Sequence, residues 1–89
     1  MTFRQIQAFL LVVRTGTLAA AADHMNLTQS GVSRLITELS RNVGFDLLDR
    51  VGRGVQPTAK GLAFFNVAEG VFDNSQTLQR LVTEIREGM

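Results

Sequence analysis

Three residues, Asn26, Leu27 and Thr28, separate two amphipathic helical stripes in the front half of the chain. Ahead of them, Thr17 can cap a helix over residues 18–25, whose inward stripe is Leu18, Ala21, Ala22 and Met25. Asn26 tolerates the left-handed conformation that ends such a helix. Behind them, Thr28 precedes a helix over residues 29–42. There Val32, Leu35, Ile36 and Leu39 fall in one arc roughly 100° wide, at ~100° per residue. Two short helices joined by about three residues form a helix-turn-helix. The alanines of the first let a neighbouring helix approach closely, so both must pack on a common core.

The rest of the chain supplies that core. Thr2-Phe3-Arg4-Gln5 has the spacing of a capping box, and Ile6, Phe9, Leu10 and Val13 follow at helical spacing, predicting a helix over residues 3–14 that stops at Gly16. After residues 29–42, Gly44 fits a helix end and Phe45 can fold back on Leu39. Two short runs, residues 47–51 and 55–57, enclose Gly52-Arg53-Gly54, a hairpin signal with both glycines free to take positive φ. Pro57 ends the second strand, and Thr58 caps a long helix over residues 59–87. In that helix Phe64, Val71, Leu78 and Ile85 recur every seven residues, with Val67, Asn74 and Leu81 three further on. This is a coiled-coil-like seam with one polar position. Phe65, Ala68, Phe72, Ser75 and Val82 make a second stripe beside it. Two stripes suggest two partners, the chain's own core and a second copy of the helix. The alternative is one wide stripe packed inside a monomer.

The start of the third helix is poor by propensity. Thr28, Ser30, Gly31 and Ser33 crowd small groups there, and glycine costs about 1 kcal/mol against alanine in a helix. A helix that enters the major groove of a duplex needs such an opening, because bulk would keep its backbone from the phosphates. Amides at Gln29, Ser30 and Gly31 then present partial positive charge to a phosphate. Gln29 is long and planar, suited to the N6/N7 edge of adenine, and Arg34 lies one turn along, within reach of guanine or a phosphate. Ser30, Ser33, Thr37 and Arg41 share that polar arc. Arg53, at the hairpin tip, can enter a minor groove, which A/T-rich sequence narrows and makes more negative. The expected base-reading set is Gln29, Ser30, Ser33, Arg34 and Arg53. The expected phosphate contacts are Thr28, Gly31, Thr37, Arg50, Thr58, Lys60 and Arg4. Each residue also has a plainer reading: Thr28 as a cap alone, Arg53 as an ordinary turn, Arg50 and Lys60 as partners of Asp49 and Asp46.

Charge distribution agrees weakly with an anionic partner. Net charge is +1, but residues 1–61 carry seven cations against four acids, and residues 62–89 two against four.

These residues resemble the DNA-binding domain of LysR-type transcriptional regulators. The match begins with FRQIQAFLLVVRTGTLAAAADHMNLTQSGVSRLITELS and covers essentially the whole chain. It includes Thr28-Gln29, the small pair Ser30-Gly31, Val32-Ser33-Arg34, Gly44, the leucine-rich strand ending in Arg50, the basic wing at Arg53, and Thr58 with Gly61. The resemblance implies a mainly α fold, a winged helix-turn-helix over residues 1–58 with a two-stranded wing, then a linker and dimerisation helix over residues 59–89. It implies helix 29–42 in the major groove, wing 50–55 in the minor groove, a roughly palindromic operator, and a homodimer through Phe64, Val67, Val71, Asn74, Leu78, Leu81 and Ile85. It further implies that a natural chain continues into an effector-sensing domain absent from these 89 residues, and that the full-length protein is a tetramer. Three positions depart from the family: Ser40, where glutamate is common; Leu48, where phenylalanine is; and Gly31, where alanine or proline is. Leu48 is then a smaller core plug that loosens the wing.

Other functions find little support. One histidine, His24, and no cysteine argue against a metal site, a disulfide or a thiol nucleophile. Gly52-Arg53-Gly54 lacks the further glycine and the following helix of a dinucleotide loop. No catalysis and no cofactor are expected. The longest apolar run, residues 8–13, is far too short to span a bilayer and has no basic leader, so a cytoplasmic setting is expected. The serious alternative is a protein-interaction module that does not read DNA.

Overall fold

Local capping sets the helix ends of the front half. The computed structural model describes residues 1–88. Helix α1 spans Phe3–Thr15. Thr2 Oγ1 accepts the Gln5 N–H, and Gln5 Oε1 accepts the Thr2 N–H, both at 3.1 Å. Gly16, at φ +84°, closes the other end. Helix α2 spans Leu18–Met25; the Thr17 hydroxyl accepts the Ala20 N–H at 3.0 Å. Asn26 adopts φ +55°, and the Leu27 N–H reaches back to the Ala22 carbonyl at 3.0 Å. Helix α3 spans Gln29–Val43, opened by Thr28 and closed by Gly44 at φ +85°.

Helix α1 is the centre of the core. Ile6, Ala8, Phe9, Leu10 and Val12 are buried, against Ala21 and Ala22 of α2 and Val32, Ile36 and Leu39 of α3. The absence of side-chain bulk on α2 is what lets α2 sit tightly between its neighbours. Gln5 is the one buried polar side chain among the described residues. Its amide nitrogen donates to Glu38 Oε2 at 3.3 Å, tying the start of α1 to α3.

The wing is a two-stranded antiparallel sheet, β1 Leu48–Val51 and β2 Gly54–Pro57, with Leu48 opposite Pro57 and Val51 opposite Gly54. The loop is therefore Gly52-Arg53. Only Gly52 takes positive φ (+58°); Gly54 is a paired strand residue. Of the two glycines free to take positive φ only the first uses that freedom, because a two-residue loop with glycine first needs positive φ at that position alone. Leu48 packs against the core, as a plug should, but it has a more deeply buried neighbour. Leu47, just before β1, is fully buried, while Leu48 is half-buried.

Helix α4 spans Ala59–Gly88. Its first half closes the core through an aromatic cluster: Phe9 meets Phe64 at 5.8 Å and Phe65 at 6.4 Å between ring centroids, and Phe45 meets Phe64 at 6.5 Å, all edge-to-face. Phe45 thus finds Phe64 as its aromatic neighbour. Phe64, expected in the dimer seam, is half-buried and packs against the core.

Candidate nucleic-acid interface

The apolar arc of α3 decides what the helix can offer outward. Val32, Ile36 and Leu39 are buried, so Gln29, Ser30, Ser33, Arg34, Thr37 and Arg41 on the other side are all exposed. The helix is held by one face and leaves a continuous polar strip on the other.

Its first turn is organised by Thr28. The hydroxyl accepts the Gly31 N–H at 3.0 Å and lies 3.2 Å from the Ser30 hydroxyl. The Gly31 amide is therefore committed to the cap, which removes it as a donor to phosphate. The amides of Gln29 and Ser30 have no partner among the described residues and remain the open donors of the helix start. A Cβ on Gly31 would lie 3.2 Å from Thr28 Oγ1 and 3.7 Å from Leu27 Cβ. The glycine gives room to the cap and the turn rather than thinning the outer face.

Six front-half cations, Arg4, Arg34, Arg41, Arg50, Arg53 and Lys60, have no carboxylate within 4.0 Å among the described residues. The alternative in which Arg50 and Lys60 pair with Asp49 and Asp46 does not occur. Arg14 differs: it bonds Glu69 of α4 at 3.0 Å. Arg53, as second loop residue of the wing, is exposed at the hairpin tip.

The wing and α3 enclose a cleft of about 220 Å³. Ser33, Thr37 and Ser40 line one wall and Asp49 and Arg50 another, with Leu18 of α2 at the edge. The structure thus brings Ser33, Thr37 and Arg50 together. Gln29, Arg34, Arg53, Arg4 and Lys60 stand outside the cleft on exposed surface.

Thr58 does not fit its expected role. Its hydroxyl donates to the Asp46 carbonyl at 2.6 Å and accepts the Gly61 N–H at 2.9 Å, while its own N–H donates to the Leu47 carbonyl at 3.1 Å. No proton is left for a phosphate. Sequence reasoning also missed Ser40, whose hydroxyl accepts the Leu47 N–H at 3.3 Å. Its departure from the family's glutamate is the one signal in the sequence that marks it.

Of the expected seam on α4, Val67, Val71, Leu78, Leu81 and Ile85 are exposed, Val67 at 69% and Leu78 at 63%, and Asn74 is exposed between them. No group of three or more potential metal ligands occurs among the described residues. No helix among them is long and apolar enough to cross a membrane.

Comparison with known proteins matches this geometry. The chain is 31% identical over 84 residues to the regulatory protein NocR of Agrobacterium fabrum, covering 94% of this chain and 28% of NocR. It is 35% identical over 86 residues to the HTH-type transcriptional regulator CbbR of Rhizobium meliloti, covering 97% and 28%. It therefore spans under a third of the length of these relatives. Among solved structures, the BenM_DBD/benA site 1 DNA complex superposes with a TM-score of 0.87 at 29% identity, covering all of both chains. The CbnR_DBD–DNA complex gives 0.85 at 30%, covering 98% and 100%. The family model described as bacterial regulatory helix-turn-helix protein, lysR family, matches residues 3–62, from the start of α1 through the wing into α4, and the chain belongs to that family.

Proposed function

We propose that this chain is the sequence-specific double-stranded-DNA-binding domain of a LysR-type transcriptional regulator. The observation that carries the reading is the outer face of α3, a polar strip where Gln29 and Arg34 are exposed and have no side-chain hydrogen bond or ion pair among the described residues, on a fold shared over 98–100% of its length with domains solved on DNA. Helix α3 enters the major groove, with Gln29, Ser30, Ser33 and Arg34 at base edges. Residues 50–55 approach the adjacent minor groove, with Arg53 inserted. Thr28, Thr37, Arg50, Lys60, Arg4 and the Gln29 and Ser30 amides take phosphates. Gly31 and Thr58 leave that set because their donors are committed within the protein.

Helix α4 acts as a linker helix that pairs with a second copy through Val67, Val71, Asn74, Leu78, Leu81 and Ile85; the last residue of the expected segment 59–89 lies outside the described residues. Two-fold pairing makes the operator a rough palindrome with half-sites on one DNA face. A longer protein would add an effector-binding domain, tetramerise and act in the cytoplasm. The relatives are transcriptional regulators, and we assign this chain no catalytic reaction.

Titration of duplex DNA at several salt concentrations tests the reading. Log affinity is expected to fall with log salt by about 0.9 per phosphate contacted, and one family of sites should bind far better than random duplex. Binding that is insensitive to salt, or indifferent to sequence, would favour a protein-interaction module instead.

A further inference from the structure

A side-chain hydroxyl and a backbone amide converge on the two backbone polar groups of one residue. Leu47 has no exposed surface. Its N–H donates to Ser40 Oγ of α3 at 3.3 Å, and its carbonyl accepts the Thr58 N–H at 3.1 Å. Thr58 also donates its hydroxyl proton to the Asp46 carbonyl at 2.6 Å. The first ladder pair of the wing, Leu48 with Pro57, lies immediately beyond this point. Both ends of the hairpin are therefore bolted at its base, to α3 by Ser40 and to the start of α4 by Thr58.

We propose that Ser40 and Thr58 are positioning residues for the wing, locking Leu47 by both its backbone groups and so holding Arg53 at a fixed offset from Gln29 and Arg34. The inference rests on the DNA-binding reading above. Its physical basis is leverage. A two-stranded hairpin is marginal alone and takes its direction from what it stands on. The four-pair ladder carries Arg53 roughly 13 Å from the clamp, so a tilt of about 10° at the base moves the tip by about 2 Å. That is enough to take a guanidinium out of a narrow groove. Thr58 also caps α4 through the Gly61 N–H, so one residue sets both the direction of that helix and the base of the wing.

The test combines amide exchange with a double-mutant cycle. Ser40 is half-buried on a helix surface, so Ser40→Ala and Ser40→Thr should both fold. Ser40→Ala is expected to speed exchange of the Leu47 amide and of the ladder amides above it. It should also weaken binding to the preferred duplex about 3- to 10-fold, the loss expected of Arg53→Ala as well. The double variant should bind no more weakly than Arg53→Ala alone, because the hydroxyl acts only through that arginine. Ser40→Thr, which keeps the hydroxyl, should restore both readouts. Unchanged exchange at Leu47, or losses that add in the double variant, would overturn the assignment. If the unsubstituted domain shows no duplex preference, the DNA reading fails on its own, and the exchange measurement still decides whether the clamp holds the wing.

Discussion

At the scale of single residues, the outer face of α3 divides into groups that hold the helix and groups left for a partner. Gly31 belongs to the first kind, because its amide closes on the Thr28 hydroxyl, and Thr28 serves both, accepting that amide while its hydroxyl proton stays available. Gln29 and Arg34 belong to the second, because they are exposed and have no side-chain hydrogen bond or ion pair among the described residues. Gln29→Ala and Arg34→Ala should each cost about 1–3 kcal/mol of binding and relax preference at one base pair per half-site. Neither should lower the thermal midpoint, since neither side chain supports the fold. Competition titrations with singly substituted operators check this. A variant that keeps the parent's affinity and preference would remove that residue from the base-reading set. The face itself was legible in sequence because helical periodicity is local. The status of each donor was not. Whether an amide is open or capped depends on a rotamer, and the Thr58 hydroxyl finds its acceptor at Asp46, twelve residues earlier.

At the scale of elements, the contact between the wing and α4 depends on a residue with no side chain. A Cβ built on Gly61 would collide with the Leu47 carbonyl oxygen, a backbone atom that has little freedom to retreat. Gly70, in the same helix, has open space around it. Gly61→Ala should therefore destabilise the fold by about 1–3 kcal/mol, as overpacking does. Gly70→Ala should stabilise it by roughly 0.5–1 kcal/mol through helix propensity alone. Opposite shifts in the urea midpoint are the expected result; equal shifts would mean that α4 does not sit on Leu47 as described. Helix ends were readable from sequence because Thr2, Thr17, Asn26 and Gly44 act within a few residues of themselves. The wing was harder. Two short runs around Gly52-Arg53-Gly54 signal a hairpin but do not say which of Leu47 and Leu48 is buried more deeply, because a single-residue shift moves every side chain to the opposite face. The core contact of Phe64 was hidden for a related reason. Seven-residue spacing identifies a stripe without saying which neighbour covers each part of it.

At the scale of the whole molecule, α4 is too long for the core it closes. Thirty residues extend roughly 45 Å, close to the 52 Å long axis of the chain. Gly61 and Ala68 are buried and Phe64, Phe65 and Phe72 pack on the core, but no described residue beyond Phe72 is buried. A lone helical extension of that length is marginal in water. Yet it carries Leu78, Leu81, Val82 and Ile85, all exposed, continuous with Val67 and Val71. A second copy laid along this stripe would cover the apolar groups and stabilise the extension together, with the exposed Asn74 available to fix register at some cost in stability. Leu78→Asp and Val71→Asp should each weaken self-association by at least tenfold, since a carboxylate in the seam must be desolvated or the pairing lost. Each should also lower far-UV helicity as the end of α4 frays, while the aromatic cluster around Phe9 keeps its packing. Sedimentation equilibrium over a range of protein concentrations gives the first quantity and circular dichroism the second. An unchanged dimer in either variant would place the self-association surface elsewhere and leave α4 a structural strut.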